Sequence, residues 1–311
     1  MFAAIMIATV SCKRSEEITP TTLETSSSSK SEAFQAALLS PVLVAGSKDH
    51  AGYANASGSS ALFNQPFGLF VNTDGTLLVA DQKNGAIRKI NNSVVSTVTK
   101  NSVLVGISNI AGTKDGTIAL NDKGSTVLYK ANNLNIISFP GCQHCSTGGV
   151  SKSADGTFFW YVNNLYDGES AVNLEAIRPD GSPGGGQSGA IASSDDASAI
   201  GNAVSTSLND NKFVTLAHGV YELTHSGALL NILTPTTFDG ITDIAVNKDG
   251  TKLYLADNGD IKLITRCPTC PTVLTVLATH VDATGLALSN SEKVLFFTSL
   301  KHHTVSKLNL P

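Results

Sequence analysis

Five cysteines include the residues whose spacing points most directly to chemistry. Cys142 and Cys145 are separated by two residues, as are Cys267 and Cys270, and Cys12 stands alone near the N-terminus. Taken alone, two such pairs predict a zinc site with four thiolate ligands. In an oxidising compartment, the same pairs predict two local disulfides. The decision depends on whether the fold brings the two pairs together.

A second set of candidates combines an amide, a carboxylate and a hydroxyl group. Asn109, Asp243 and Thr284 each lie six residues before a polar turn. Their oxygen atoms suit a hard cation or the hydroxyls of a sugar, although one carboxylate makes a poor cation cage. They also fit a structural role, in which they satisfy buried strand ends and ordered water. We predict these three residues as ligand-binding candidates, and we predict no catalytic and no metal-binding residue.

Other chemistries lack the residues that they need. No Gly-X-Ser-X-Gly segment and no phosphate-binding glycine motif occurs in the sequence. Two interpretations of the histidines stay open. They could form a metal cluster or be solvated residues in turns: His218, His280, His302 and His303. The net charge of −4 and the pI near 5.9 argue against the basic surface that nucleic acid requires.

An internal repeat predicts the elements that position these residues. Polar turns recur 39–41 residues apart, with one longer interval of 55 residues: Asp74-Gly75, Asp115-Gly116, Asp155-Gly156, Asp210-Asn211, Asp249-Gly250 and Asn290-Ser291. Apolar segments such as Gly68–Val71 and Leu77–Ala80 flank the turns, which is the pattern of a β-hairpin. Four strands in about 40–45 residues make one propeller blade. The sequence therefore predicts an all-β, six-bladed β-propeller of four-stranded blades, spanning residues 41–311.

The last repeat is one strand short, which predicts how the ring closes. Pro41–Ala45 is the unassigned strand at the other end of the domain, and we expect it to form the outer strand of blade 6 and leave no open edge. The repeat also separates the cysteine pairs, because one follows blade 2 and the other lies in blade 5, across the ring. No single zinc ion can bridge them, so two disulfides, Cys142–Cys145 and Cys267–Cys270, are predicted.

The residue six places before each turn is predicted to lie on a ring around the central channel. The members of this ring are Gly68, Asn109, Gly149, Val204, Asp243 and Thr284. None of the seven histidines falls on it. The mouth of the channel is therefore expected to be mildly polar, with a single carboxylate.

Blade 1 resembles an NHL repeat. The resemblance is carried by Val44–Gly46, Gly52–Ala54, Phe63–Gly68, Leu78–Asp81 and Ile87–Ile90. Blade 5 retains part of the same pattern in Ile241–Ala245, Leu253–Asp257 and Ile261–Ile264. The resemblance covers residues 41–311 and implies a propeller of the NHL type.

Two groups of enzymes with similar folds suggest an alternative function. Gluconolactonase-like propellers hold a divalent ion with a Glu and further Asn and Asp residues, and here the ring supplies Asn109 and Asp243 but no Glu. Amidating lyases built on NHL repeats hold zinc with channel histidines, which the predicted ring lacks. The alternative is a metal-dependent lactonase-like or lyase-like enzyme with Ca²⁺ or Zn²⁺ at the channel.

The N-terminus resembles a targeting segment. Residues 1–11 are apolar and small, too short to span a bilayer, and Thr9–Cys12 resembles a bacterial lipobox. Residues 13–40 are a polar, disordered tether, and Ser15–Glu17 resembles the acidic export signal of Bacteroidetes lipoproteins. The alternative is a buried first strand with Cys12 as a core thiol. We expect an exported protein, anchored to the outer membrane by a lipid on Cys12, either surface-exposed or periplasmic.

Taken together, these features predict a cell-envelope lipoprotein with a non-enzymatic, NHL-like binding propeller. Its expected partner is a protein or a carbohydrate ligand, and it contacts the membrane through the N-terminal lipid only. No nucleic acid and no cofactor are expected.

Overall fold

Six antiparallel sheets of four strands make up the computed structural model of the chain. The structure describes residues 38–122, 125–130, 133–138, 145–165, 171–184, 189–193, 201–216, 218–233, 238–267 and 269–311. All six sheets belong to the unit Ala36–Pro311. The predicted signal peptide and almost all of the predicted tether lie outside the described residues.

The strands follow the chain blade by blade, after a single strand β1 (Val42–Ala45). Blade 1 consists of β2 (Pro66–Val71), β3 (Leu77–Asp81), β4 (Ala86–Asn91) and β5 (Val94–Lys100). Blade 2 consists of β6 (Asn109–Gly112), β7 (Ile118–Asp122), β8 (Ser125–Lys130) and β9 (Asn133–Ser138). Blade 3 consists of β10 (Cys145–Lys152), β11 (Phe159–Leu165), β12 (Ala171–Ile177) and β13 (Gly189–Ser193).

The second half of the domain repeats the same arrangement. Blade 4 consists of β14 (Gly201–Thr206), β15 (Lys212–Leu216), β16 (Gly219–Leu223) and β17 (Leu229–Leu233). Blade 5 consists of β18 (Ile241–Val246), β19 (Lys252–Asp257), β20 (Gly259–Cys267) and β21 (Cys270–Ala283). Blade 6 takes β22 (Leu286–Leu288), β23 (Val294–Ser299) and β24 (Thr304–Asn309) from the end of the chain.

The ring closes as predicted. The first strand of each blade contacts the first strand of the next, and β22 of blade 6 contacts β2 of blade 1. Strand β1 pairs antiparallel with β24, with Val42 opposite Lys307 and Leu43 opposite Ser306, and so completes blade 6. The all-β, six-bladed propeller with a closing N-terminal strand is confirmed.

A recurrent Asp-Gly-Thr segment explains the turns between the first and second strands. In blade 1, Asp74 Oδ1 accepts hydrogen bonds from the Thr76 N–H and from the Thr76 hydroxyl. Gly75 takes a φ of +82°, which disfavours a side chain. Both contacts recur in blades 3 and 5, and the contact from the Thr N–H recurs in blade 2. The turns therefore form from local chemistry and set the register of each blade.

Buried apolar residues of neighbouring sheets form the core between the blades. Trp160 and Phe159 are fully buried there, as expected for residues that pack between blades. In blade 1 the residues of the NHL-like pattern pack around Arg88, which is fully buried, pairs with Asp81 at 2.7 Å and lies over the rings of Tyr53 and Phe63. The segment before β2 is thereby fixed to blade 1.

The central channel as a candidate binding site

The inner strands approach each other closely around the channel because small residues line the ring. A Cβ atom at Gly68 would come within 2.7 Å of the Asn109 Cα of the next blade. A Cβ atom at Gly149 would come within 2.5 Å of the Ala203 Cα. Contacts this short are excluded for real side chains, so the ring depends on glycine at these positions. Little room is left at the waist of the channel.

The hydrogen bonds in the turns show that two members of the predicted ring were wrong by one residue. In the Asp-Gly turns, the glycine N–H bonds to the carbonyl three residues earlier, and in blade 4 Asp210 takes that place with a φ of +59°. In blade 6 Glu292 takes it with a φ of +60°. Where a turn lacks the Asp-Gly pair, the number of residues between the turn and the ring therefore differs by one from the predicted number. The ring members are Ala203 in place of Val204 and Gly285 in place of Thr284.

Thr284 therefore lies next to the ring and does not line either cavity described below. Its carbonyl accepts a hydrogen bond from the Thr242 hydroxyl at 2.8 Å, and its own hydroxyl accepts one from the Leu300 N–H at 3.4 Å. The residue joins blades 5 and 6. Asn109 and Asp243, by contrast, do meet in the channel, so the structure brings two of the three candidates together.

Asp243 is the single carboxylate of the ring and is 5% exposed. Its two oxygens accept the N–H groups of Ile244 at 2.8 Å and of Leu286 at 2.7 Å. Asn109, from the opposite side of the ring, provides a side-chain hydrogen bond. Burial raises the pKa of Asp243 to about 7, and these three hydrogen bonds limit the rise. The carboxyl group therefore changes its charge near neutral pH.

Two cavities meet the channel at its opposite ends. The start face, where the inner strands begin, has a cavity of about 280 Å³. Uncharged residues line it: Phe67, Ser108, Asn109, Ser146, Thr147, Gly148, Asn164, Gly201, Asn202 and Thr242. The turn face, at the ends of the inner strands, has a cavity of about 170 Å³ that reaches both Asn109 and Asp243. Asn109 borders both cavities, which places it at the waist.

Side chains near the start face also join neighbouring blades. At five seams, an amide or hydroxyl group donates a hydrogen bond of 2.5–3.1 Å to a carbonyl at the start of the next inner strand. The pairs are Asn121–Gly148, Asn164–Gly201, Asn202–Ile241, Thr242–Thr284 and Thr298–Phe67. Sequence reasoning missed these residues, because a polar residue at a strand end carries no local signal of its partner in another blade.

The channel residues do not fit a cation site well. A Ca²⁺ ion requires six to eight oxygen ligands, whereas Asp243 uses both oxygens to accept N–H groups. The described residues contain no group of three or more His, Cys, Asp or Glu side chains arranged to hold a metal ion. His302 lines neither channel cavity and bonds to Asp49 and Asp282 at 2.5 and 2.7 Å.

The cysteines are only partly described. Cys12 and Cys142 lie outside the described residues, and Cys145 begins β10. The backbone pairing sets Cys267 directly opposite Cys270 in the ladder between β20 and β21. This register favours the second predicted disulfide, which stays a prediction, as does the first. Among the described residues, no helix is long and apolar enough to cross a membrane.

Comparison with known proteins supports the fold and no finer assignment. The sequence matches no protein-family model and no curated protein. Among solved structures, a protein of unknown function from Bacteroides thetaiotaomicron has a TM-score of 0.64 at 13% identity, over 86% of this chain and 75% of that one. A gluconolactonase from Xanthomonas campestris has a TM-score of 0.63 at 12% identity, over 90% and 93%.

A third similar structure belongs to another class of enzyme. Virginiamycin B lyase from Staphylococcus aureus has a TM-score of 0.56 at 12% identity, over 79% of this chain and 95% of that one. Identities this low carry fold but not function. The chain is therefore a six-bladed β-propeller whose structural neighbours include gluconolactonases and virginiamycin B lyases.

Proposed function

We propose that this protein is a non-enzymatic binding propeller that takes a small, uncharged, polyhydroxylated ligand, such as a sugar, in its start-face cavity. One observation carries the proposal: the cavity combines a half-buried aromatic ring, Phe67, with hydroxyl and amide groups and has no charged side chain in its lining. A flat ring supports the apolar face of a sugar, while amides and hydroxyls bond to its hydroxyls. The volume of about 280 Å³ suits a small ligand.

Binding without chemistry fits the state of the polar groups around the channel. Asp243 accepts two backbone N–H groups, and Asn202 and Thr242 donate to neighbouring blades. Groups held in this way are poorly placed to hold an ion. They are well placed to present a fixed pattern of hydrogen-bonding atoms to a ligand.

Ligand-observed NMR with a panel of monosaccharides tests this proposal. At least one sugar is expected to bind saturably, and Phe67→Ala and Asn109→Ala are expected to weaken it about tenfold or more, equivalent to the loss of about 1.4 kcal/mol. Asn135→Ala is the matched control, because Asn135 is exposed on the outer strand of blade 2. Thermal melts verify that each variant is folded. Binding that survives both cavity substitutions, or no binding by any sugar, would contradict the proposal.

The alternative is a metal-dependent lactonase-like or lyase-like enzyme, which one observation favours. Asp243 is a buried carboxyl group with a pKa of about 7 beside Asn109, in a channel whose fold is similar to that of a gluconolactonase. Hydrolysis of a sugar lactone with added Ca²⁺ or Zn²⁺ distinguishes the two functions. Activity that Asp243→Asn abolishes, while the variant stays folded, would support the enzyme.

We further propose that the propeller is exported and tethered to the outer membrane by a lipid on Cys12. The lipobox-like segment and the polar residues after it support this placement. Labelling with radioactive palmitate and extraction with detergent test it. The lipid label is expected on the protein and is expected to be lost in Cys12→Ala. A protein that is unlabelled and released without detergent would exclude the anchor.

Export also implies that the paired cysteines are oxidised. We expect Cys267–Cys270 and Cys142–Cys145 to form two disulfides, and the backbone register supports the first of these. Alkylation of the denatured protein, followed by mass spectrometry, is expected to modify these four cysteines only after reduction. Modification of all four without a reductant would show that they are thiols.

A further inference from the structure

Hydrogen bonds link the turns of neighbouring blades on the turn face, but not at every seam. Bonds from Lys114 N–H to Gly156 O and from Leu208 N–H to Lys248 O join blade 2 to blade 3 and blade 4 to blade 5. Lys248 also bonds to the turn of blade 6. The side chain of Asn290 donates to two carbonyls in the turn of blade 1.

Among the described residues, the seams between blades 1 and 2 and between blades 3 and 4 have no such link, and a cleft opens at the first of these two seams. Its volume is about 280 Å³, and it lies between the turns around Asp74 and Lys114 and extends to Lys152 of blade 3. Phe70 lies in this cleft and also borders the turn-face cavity of the channel. Gly112 allows this position, because a Cβ atom there would come within 2.9 Å of the Phe70 ring.

Two ammonium groups and one aromatic ring define the chemistry of the cleft. Lys152 Nζ lies 5.7 Å from the centre of the Phe70 ring. Desolvation lowers the pKa of Lys152, and the charge of Lys114 lowers it further. No described carboxylate lies within ion-pair distance of either lysine, and Asp155 is the nearby acid whose pKa Lys114 helps to lower. Asp74 also borders the cleft, but its Oδ1 is bonded within its own turn to Thr76.

Two ammonium groups close together repel each other, and an anion placed between them would relieve that repulsion. An anion with a flat apolar body would make two favourable contacts, because its charge pairs with the ammonium groups and its body covers Phe70. It would also join blade 1 to blades 2 and 3, at a seam where the turns lack a direct hydrogen bond.

We propose that this cleft is a binding site for a small organic anion, with Lys152 and Lys114 pairing with its carboxylate and Phe70 contacting its apolar body. The site is separate from the start-face cavity, so the test of this proposal does not depend on the sugar-binding proposal. No covalent step is involved.

Isothermal titration of the full protein with benzoate, and in a second arm with inorganic phosphate, tests the site. Benzoate is expected to bind saturably, and Lys152→Met and Lys114→Met are each expected to weaken it about tenfold or more at low ionic strength. Phe70→Leu is expected to weaken benzoate but not phosphate. Lys83→Met is the matched control, because this exposed lysine lies on the opposite face and loses the same charge.

Three outcomes would overturn the proposal. Benzoate could fail to saturate the protein, or Lys83→Met could weaken it as much as Lys152→Met does, which would indicate a general charge effect. Phosphate could bind as tightly as benzoate, which would exclude any role for the apolar body. Melting curves with and without benzoate provide a second readout, because bound anion is expected to raise the melting temperature of the wild type but not of Lys152→Met.

Discussion

Asp243 is the residue on which the account depends most. Its pKa is about 7 in the folded protein, against an ordinary value of 3.8. The folded state therefore binds a proton between pH 4 and pH 7 that the unfolded state releases. The neutral carboxyl group stabilises the fold fully below pH 4, and this contribution is lost as the pH rises through 7.

Replacing Asp243 with Asn isolates this effect. The amide keeps the shape and cannot ionise, so the unfolding free energy of the variant relative to wild type is expected to rise between pH 4 and pH 7.5. The expected gain is about 4 kcal/mol, from a pKa difference of about three units. Urea denaturation at several pH values measures it. A difference that is constant with pH would show that Asp243 has an ordinary pKa.

Two of the three predicted channel residues, Asn109 and Asp243, border the turn-face cavity, and their role in ligand binding stays a prediction. Asn109 and Asp243 precede Asp-Gly turns, whose geometry fixes the count of residues between turn and ring. Thr284 precedes a turn without that pair, in which Glu292 takes the left-handed position, and the count is off by one. The contact between Asn109 and Asp243 across the ring, by contrast, forms only when the ring closes. The local sequence of neither strand predicts it.

At the scale of the elements, the blades depend on side chains that bond across seams. The Thr298 hydroxyl is fully buried, donates to the Phe67 carbonyl and accepts the Gly285 N–H. Thr298→Val keeps the shape and leaves both backbone groups without this partner. We expect it to lower the unfolding free energy by about 2 kcal/mol.

Thr117→Val is the matched control for that experiment. Thr117 is also fully buried, but its hydroxyl makes no hydrogen bond to any residue that the structure describes. The unfolding free energy is therefore expected to stay unchanged or to rise by about 1 kcal/mol. Equal losses from both valine substitutions would show that the cost comes from changing a buried threonine, and that the bond across the seam contributes nothing.

Inner and second strands were easier to predict than outer ones. Segments such as Leu77–Ala80 are apolar on both faces, because they pack between two blades. The outer strand β13 lies in a Gly-rich, Ser-rich stretch whose side-chain pattern does not predict a strand. Its residues pair with β12 through backbone hydrogen bonds, which leave little trace in the side-chain pattern.

At the scale of the whole molecule, strand β1 holds the ring shut. Ala45 at its end is fully buried in the core of blades 6 and 1, and the strand covers the edge of β24. A protein that starts at residue 47 is expected to melt at least about 10 °C lower than one that starts at residue 38, and to aggregate through the exposed edge. Equal melting temperatures would mean that the closure is dispensable.

The central claim is that the channel binds a ligand without metal chemistry, and elemental analysis of the purified protein tests it most directly. We expect less than about 0.1 equivalent of Ca²⁺ or Zn²⁺ in protein purified without chelators, both for the wild type and for Asp243→Ala. About one equivalent of either metal in the wild type, lost in Asp243→Ala, would contradict the account and identify the channel as a metal site.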